Sequence, residues 1–301
     1  MEKLLEIRVG NVKLNSPLIL ASGTFGFEQL SFLKSRLIGA LTTKTITPKP
    51  CQGNPPPRLV ETPSGLLNSI GLQNSGLEGF LQDELPKFVS SGFPFIISIG
   101  GFNFEDYLLM VKALDKKKEG YLALEVNVSC PNVKQGGLSF GRKPETVYSL
   151  VSMLRKATKL PLWVKLSPLT QVVELAIAAQ EAGADALVVG NTLPGLAVDV
   201  EKGSLALGAQ TGGLSGPAIR PVALRAAYEV VQTASLPVVG CGGIFNYRNA
   251  LEFLMVGCQA VSIGTVNLVD PSAPVKIAQG LADFLKTRGF NSINQIIGLV
   301  K

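Results

Sequence analysis

The chain has 301 residues, 46% hydrophobic and 17% charged, with a formal net charge of +6 and no histidine. Such a composition excludes a disordered chain, because it can bury a large core, and the lack of imidazole excludes Ser/His triads, Cys/His dyads and HExxH zinc helices. The mild positive excess favours anionic ligands, while the densest charged run, Asp115 to Glu119, reads as a solvated helix end and not as a nucleic-acid patch.

From the N-terminus onward, the first apolar stretches are too short to span a bilayer and carry no export signal, so a cytoplasmic chain with no membrane contact is expected. Eight short apolar runs follow, at Pro17 to Ala21, Ala40 to Thr43, Phe95 to Ile99, Leu122 to Val128, Leu162 to Leu166, Ala186 to Val189, Pro237 to Gly240 and Ala260 to Ile263. Amphipathic segments such as Val147 to Ala157 and Val172 to Ala182 lie between them, the second ending at Gly183 before the next strand. Repeated strand–helix units predict a TIM-type (β/α)8 barrel over residues 1–301 as one domain, with a doubly wound open sheet as the alternative. Two connections, Thr45 to Gly92 and Asn191 to Ser235, are long enough to be binding loops over the C-terminal face.

In such a barrel, site residues follow the strands. The candidates are Ser22, Lys44 with Thr45, Ser98, Asn127 with Cys130, Lys165, Asn191 with Thr192, Gly242 with Gly243, and Gly264 with Thr265. The last two pairs sit where barrels bind phosphate on open backbone N–H groups, or they serve only as tight turns. Neither a GxGxxG fingerprint nor a GKS/GKT loop is present. A lysine in a barrel strand needs an anionic or electron-rich partner, so Lys44 and Lys165 face a structural ion pair, a cofactor, or Schiff-base chemistry of the aldolase kind. Cys130, in a polar loop after the fourth run, can act as a thiolate base where no histidine exists. Cys241 and Cys258 read as small core fillers and Cys51 gives no pointer; none of the four cysteines has CxxC spacing, so no metal site is expected.

Longer motifs carry a family likeness. They are Ser22-Gly23-Thr24-Phe25-Gly26, Thr43-Lys44-Thr45, Asn54-Pro55-Pro56-Pro57-Arg58, LLNSIGLQN from Leu66 to Asn74, EVNVSCPN from Glu125 to Asn132 and VKLSP from Val164 to Pro168. Asn191-Thr192, TGGLSGPA from Thr211 to Ala218, Gly242-Gly243-Ile244 and Gly264-Thr265 complete the series. Along nearly its whole length the chain resembles dihydroorotate dehydrogenase, specifically the class 1B catalytic subunit, through Leu66-Leu67-Asn68 and the Gly136 to Gly141 segment. The resemblance implies oxidation of dihydroorotate to orotate in pyrimidine synthesis, with flavin mononucleotide (FMN) in the barrel mouth and Cys130 as the base. It assigns Ser22, Lys44, Thr45, Ser98, Asn127, Lys165, Gly190, Gly216, Gly242, Gly243, Gly264 and Thr265 to the flavin. Lys44, Asn68, Ser69, Ile70, Gly71, Leu72, Asn127, Asn191 and Thr192 match substrate positions. Ser98 and Gly190 depart from the family pattern, which often has Asn and a larger apolar residue there. The resemblance also implies a homodimer joined by a reductase subunit carrying FAD and a 2Fe–2S cluster, making a heterotetramer that delivers electrons to NAD. A fumarate-using class 1A enzyme, a flavin dihydropyrimidine dehydrogenase, a lysine aldolase and a non-catalytic electron-transfer subunit remain the competing readings.

Overall fold

The computed structural model describes residues 2–33, 37–117, 120–129, 140–169 and 171–300. Among these, eight parallel strands close into a barrel in sequential order: β1 (Leu18–Leu20), β2 (Ala40–Thr42), β3 (Phe95–Ile99), β4 (Tyr121–Asn127), β5 (Leu162–Leu166), β6 (Ala186–Val189), β7 (Val238–Cys241) and β8 (Ala260–Ile263). β8 pairs back onto β1 through Ser262 opposite Ile19, which completes the ring and rules out an open sheet. Seven of these strands are buried at every residue, and β4 at all but one, which is why they read as continuous apolar runs and not as alternating ones.

Helices cover the outside. In Pro144–Ala157, the buried positions Val147, Leu150, Val151 and Leu154 repeat at three- and four-residue intervals and lay one stripe against the barrel. The helix Val172–Glu181 stops as anticipated, with Gly183 at φ +95° turning the chain into β6. Asn103 and Asn246 cap Phe104–Asp115 and Tyr247–Met255 by accepting backbone N–H bonds with their side chains.

The two ends of the barrel are closed differently. At the N-terminal end, an antiparallel hairpin, Ile7–Val9 with Val12–Leu14, turns at Gly10 against Asp185 and Pro237, the residues entering β6 and β7. At the C-terminal end, the two long connections meet. Leu59–Thr62 and Gly65–Asn68 from the first join Gly212–Ser215 and Leu193–Gly195 from the second in one antiparallel sheet. Glycine makes that junction possible: a Cβ at Gly65 would fall onto the Ser215 carbonyl, and one at Gly213 onto the Thr192 side chain.

Candidate active site

Between the strand ends and this upper sheet lies a cavity of about 270 Å³. Its wall divides into two kinds of surface. Ser22, Lys44, Thr45, Asn127 and Lys165, following or ending β1, β2, β4 and β5, bring polar side chains. Gly242, Gly243 and Gly264, following β7 and β8, bring bare backbone, joined by Gly216. Gly242 at φ +140° and Gly243 at φ +68° hold conformations that side chains disfavour, and a Cβ at Gly242 would meet that of Ala223 at 2.5 Å.

The polar half is knit into one buried network. Thr45 Oγ1 accepts from Asn127 Nδ2 at 3.1 Å and bonds to Ser98 Oγ at 3.0 Å and Ser22 Oγ at 3.3 Å. Ser98 donates to Glu125 Oε1 at 3.0 Å, and the same oxygen lies 4.0 Å from Lys165 Nζ. The network therefore runs across five neighbouring strand ends, from Ser22 beyond β1 to Lys165 on β5. Asn127 Oδ1 accepts from Ser129 Oγ at 3.0 Å, and Ser129 Oγ accepts in turn from Asn191 Nδ2 at 2.5 Å. Tyr107 donates its hydroxyl to the Asn127 carbonyl at 2.8 Å, fixing the strand end from outside. Buried amides and hydroxyls with their partners already set form a rigid, directional surface.

Of the anticipated residues, Ser22, Lys44, Thr45, Asn68, Ile70, Gly71, Leu72, Asn127, Lys165, Asn191, Thr192, Gly216, Gly242, Gly243, Gly264 and Thr265 all line this cavity. Three do not. Ser98 is fully buried behind Thr45, bonded to Thr45 and Glu125. Ser69 is buried under its loop, accepting from Asn54 Nδ2 at 2.8 Å. Gly190 is packed on β7, where a Cβ would fall onto the Cys241 carbonyl oxygen. Cys130 lies outside the described residues.

The structure also adds residues that the sequence reading passed over. Cys241, taken there as a core filler, lines the cavity with Ile244 and Phe245. Its thiol is pushed up by burial and further by Glu125, against the opposing pull of Lys165 and a bond to Ser262. Cys258 is indeed core, with burial driving its thiol up to about 12. Glu125, within EVNVSCPN, is only 3% exposed and joins the network as well. A carboxylate in an otherwise apolar strand was the signal that would have found it. Gly23, at φ +74°, leaves room for Lys44, whose Nζ would stand 3.2 Å from a Cβ there.

The chain matches known proteins over almost its full length. The sequence model described as dihydroorotate dehydrogenase covers residues 4–285. The chain belongs to the dihydroorotate dehydrogenase family. It is 48% identical over 297 residues to the dihydroorotate dehydrogenase B (NAD(+)) catalytic subunit of Geotalea uraniireducens, spanning 98% of this chain and 97% of that protein. The equivalent subunit of Trichlorobacter lovleyi is 46% identical over the whole of both chains. A solved DHODH from Eimeria tenella, in complex with ferulenol, shares the fold, with a TM-score of 0.81 at 23% identity over 98% of this chain and 88% of that one. Among the described residues, no helix is long and apolar enough to cross a membrane, and no group of three His, Cys, Asp or Glu is placed to hold a metal.

Proposed function

We propose that this chain, acting as one barrel domain over residues 1–301, oxidises (S)-dihydroorotate to orotate in de novo pyrimidine synthesis as an FMN-dependent, NAD-linked dehydrogenase. The observation that carries the reading is the two-sided cavity, hydrogen-bonded amides and ammonium groups facing bare glycine backbone, in a chain 48% identical to an NAD(+)-linked catalytic subunit from end to end.

The residues fit a flavin nucleotide. A heteroaromatic ring bearing carbonyl and imide edges needs fixed donors along one side, which Asn127 and Lys165 offer, with Thr45 holding the Asn127 amide in place. A phosphate needs open backbone N–H groups, and the glycines at 216, 242, 243 and 264 leave the wall bare there. Ser22, Lys44, Thr45, Asn127, Lys165, Gly216, Gly242, Gly243, Gly264 and Thr265 would hold it, with Ser98 and Gly190 supporting from behind. When bound, FMN supplies the two-electron acceptor. The chain's own residues do the rest. Asn68, Asn127, Asn191, Thr192 and Lys44, with the Ser69 to Leu72 loop, orient a planar, anionic dihydropyrimidine, and buried amides of this kind discriminate strongly against rings lacking the matching groups. Cys130 takes the proton from the ring carbon beside the carbonyl. Lys165 keeps positive charge at the cavity floor, where negative charge grows during the reaction.

The word "catalytic subunit" in the relatives' names supports a second subunit. In this reading the second subunit carries FAD and a 2Fe–2S cluster, joins a homodimer of this chain as a cytoplasmic heterotetramer, and passes the electrons to NAD. The test is an anaerobic titration of the purified, FMN-loaded chain with dihydroorotate, following the visible spectrum. Bleaching near one equivalent is expected. A yellow protein that stays oxidised would move the substrate to another pyrimidine, and a protein that never takes up FMN would overturn the reading.

A further inference from the structure

The Glu125 carboxylate, 3% exposed, is buried in the barrel interior on β4, one rung below Asn127. Ser98 donates to its Oε1 at 3.0 Å, and the same oxygen is 4.0 Å from the ammonium of Lys165, itself 7% exposed. The Lys165 side chain reaches the cavity floor, whereas Glu125 does not line the cavity. An acid here is not required for packing, since the rest of β4 is apolar up to Asn127. Taking a carboxylate and an ammonium out of water together is costly, and an apolar pair of the same volume would serve stability as well. The arrangement instead sets a fixed opposite charge beside Lys165, behind the residues that line the cavity.

We infer that Glu125 is a positioning residue: its carboxylate, held by Ser98, fixes the Lys165 ammonium at the cavity floor and moderates the attraction of that floor for negative charge. The inference rests on the flavin reading for its consequence in catalysis, but the electrostatic link stands on this chain alone. Cys241 supplies an internal probe of it. The thiol lines the same cavity, is influenced in opposite senses by Lys165 and Glu125, and needs no ligand to be observed.

Two readouts follow from Glu125→Gln, which keeps the shape and removes the charge. In the flavin-free chain, alkylation of Cys241 by iodoacetamide at fixed pH, followed by peptide mass spectrometry, should be faster than in the parent by roughly three- to tenfold. Cys258, buried with its thiol near 12, serves as the silent standard. In the loaded protein, the affinity for reduced FMN relative to oxidised FMN should rise by about tenfold, or about 30 mV for a two-electron couple. Lys165→Met should move both readouts the other way, and Glu125→Asp should restore both towards the parent. A purely structural Glu125 would shift neither, so unchanged alkylation with an unchanged affinity ratio would overturn the inference. If the parent fails to bind FMN while Cys241 still responds to both charges, the flavin reading falls and the Glu125–Lys165 link stands. If Glu125→Gln does not fold alone, Lys165→Met/Glu125→Gln is compared with Lys165→Met: faster alkylation of Cys241 in the double variant supports a Glu125 charge acting on the cavity, and an equal rate overturns it.

Discussion

The half of the barrel rim formed by β1 to β5 meets the cavity with one connected network of polar side chains, whereas at β7 and β8 bare glycine backbone opens the wall between the side chains. On the first half, Ser22, Thr45, Asn127 and Lys165 are tied through Ser98 and Glu125 into one network. On the second, Gly242 and Gly243 in the cavity wall and Gly190 behind them have positive φ, and a Cβ at each would stand within 2.6 Å of a neighbouring atom. The two halves are therefore vulnerable in opposite ways. The side-chain half fails when a functional group is removed, even at constant shape; the backbone half fails at Gly190, Gly242 and Gly243 when any atom is added, whatever its chemistry, whereas Gly264 has room for a Cβ.

Substitutions chosen on each half test that division. The largest effect should come from Gly190→Ala, whose Cβ falls onto the Cys241 carbonyl at φ +137°. We expect a loss of at least about 4 kcal/mol, read as a lowered denaturant midpoint, and a near-normal midpoint would show that β6 and β7 can part freely. On the other half, Lys165→Met leaves Glu125 buried without its ammonium, and about 3 kcal/mol of stability should go with it, together with weaker FMN binding. Restoring stability, but not FMN affinity, with Lys165→Met/Glu125→Gln would separate the structural cost from the functional one. Thr45→Val preserves shape and removes the oxygen shared by Asn127, Ser98 and Ser22, so a loss of about 1–3 kcal/mol and a slower reductive half-reaction are expected. The smallest effect belongs to Ser292→Ala, beside the N-terminal hairpin at the other end of the barrel, where losing the cap over Asn294 should cost about 1 kcal/mol in melting experiments and leave FMN affinity unchanged. A change in affinity there would mean that the rim senses general stability, and the contrast between the halves would collapse.

How much of this was legible in the sequence follows the same division. β3, β5, β6 and β8 coincide with their apolar runs, and the other four barrel strands differ by a residue or so at their ends, because strands buried on both faces announce themselves as short, mainly apolar runs. Most of the residues anticipated at strand ends reach the cavity, since barrel topology alone sends those positions to one face. What stayed hidden depends on pairing across the fold. Ser98 and Glu125 are 27 residues apart and Thr45 and Asn127 are 82 apart, so no local pattern marks them as partners. Cys241 looked like filler because its neighbours are glycine and apolar residues, yet the bare wall made by those glycines is what brings its thiol to the cavity. The upper sheet was read only as two long connections. Its strand Gly212–Ser215 has the composition of a turn, and glycine there reflects close backbone approach and not chain reversal.

That sheet also imposes an order of events. Its central pair joins segments about 150 residues apart, with Asn68 donating to the Gly213 carbonyl across 145 positions of chain. Closing so long a loop is unfavourable until the strands between have been gathered, so the cover of the cavity forms after the barrel that supports it. By the same reasoning it separates first when the molecule loosens, and hydrogen exchange at Leu66 to Asn68 should outpace that of β4 and β5. Entry to the cavity then becomes a matter of local opening, with a free energy of its own, while the ring of strands beneath stays shut.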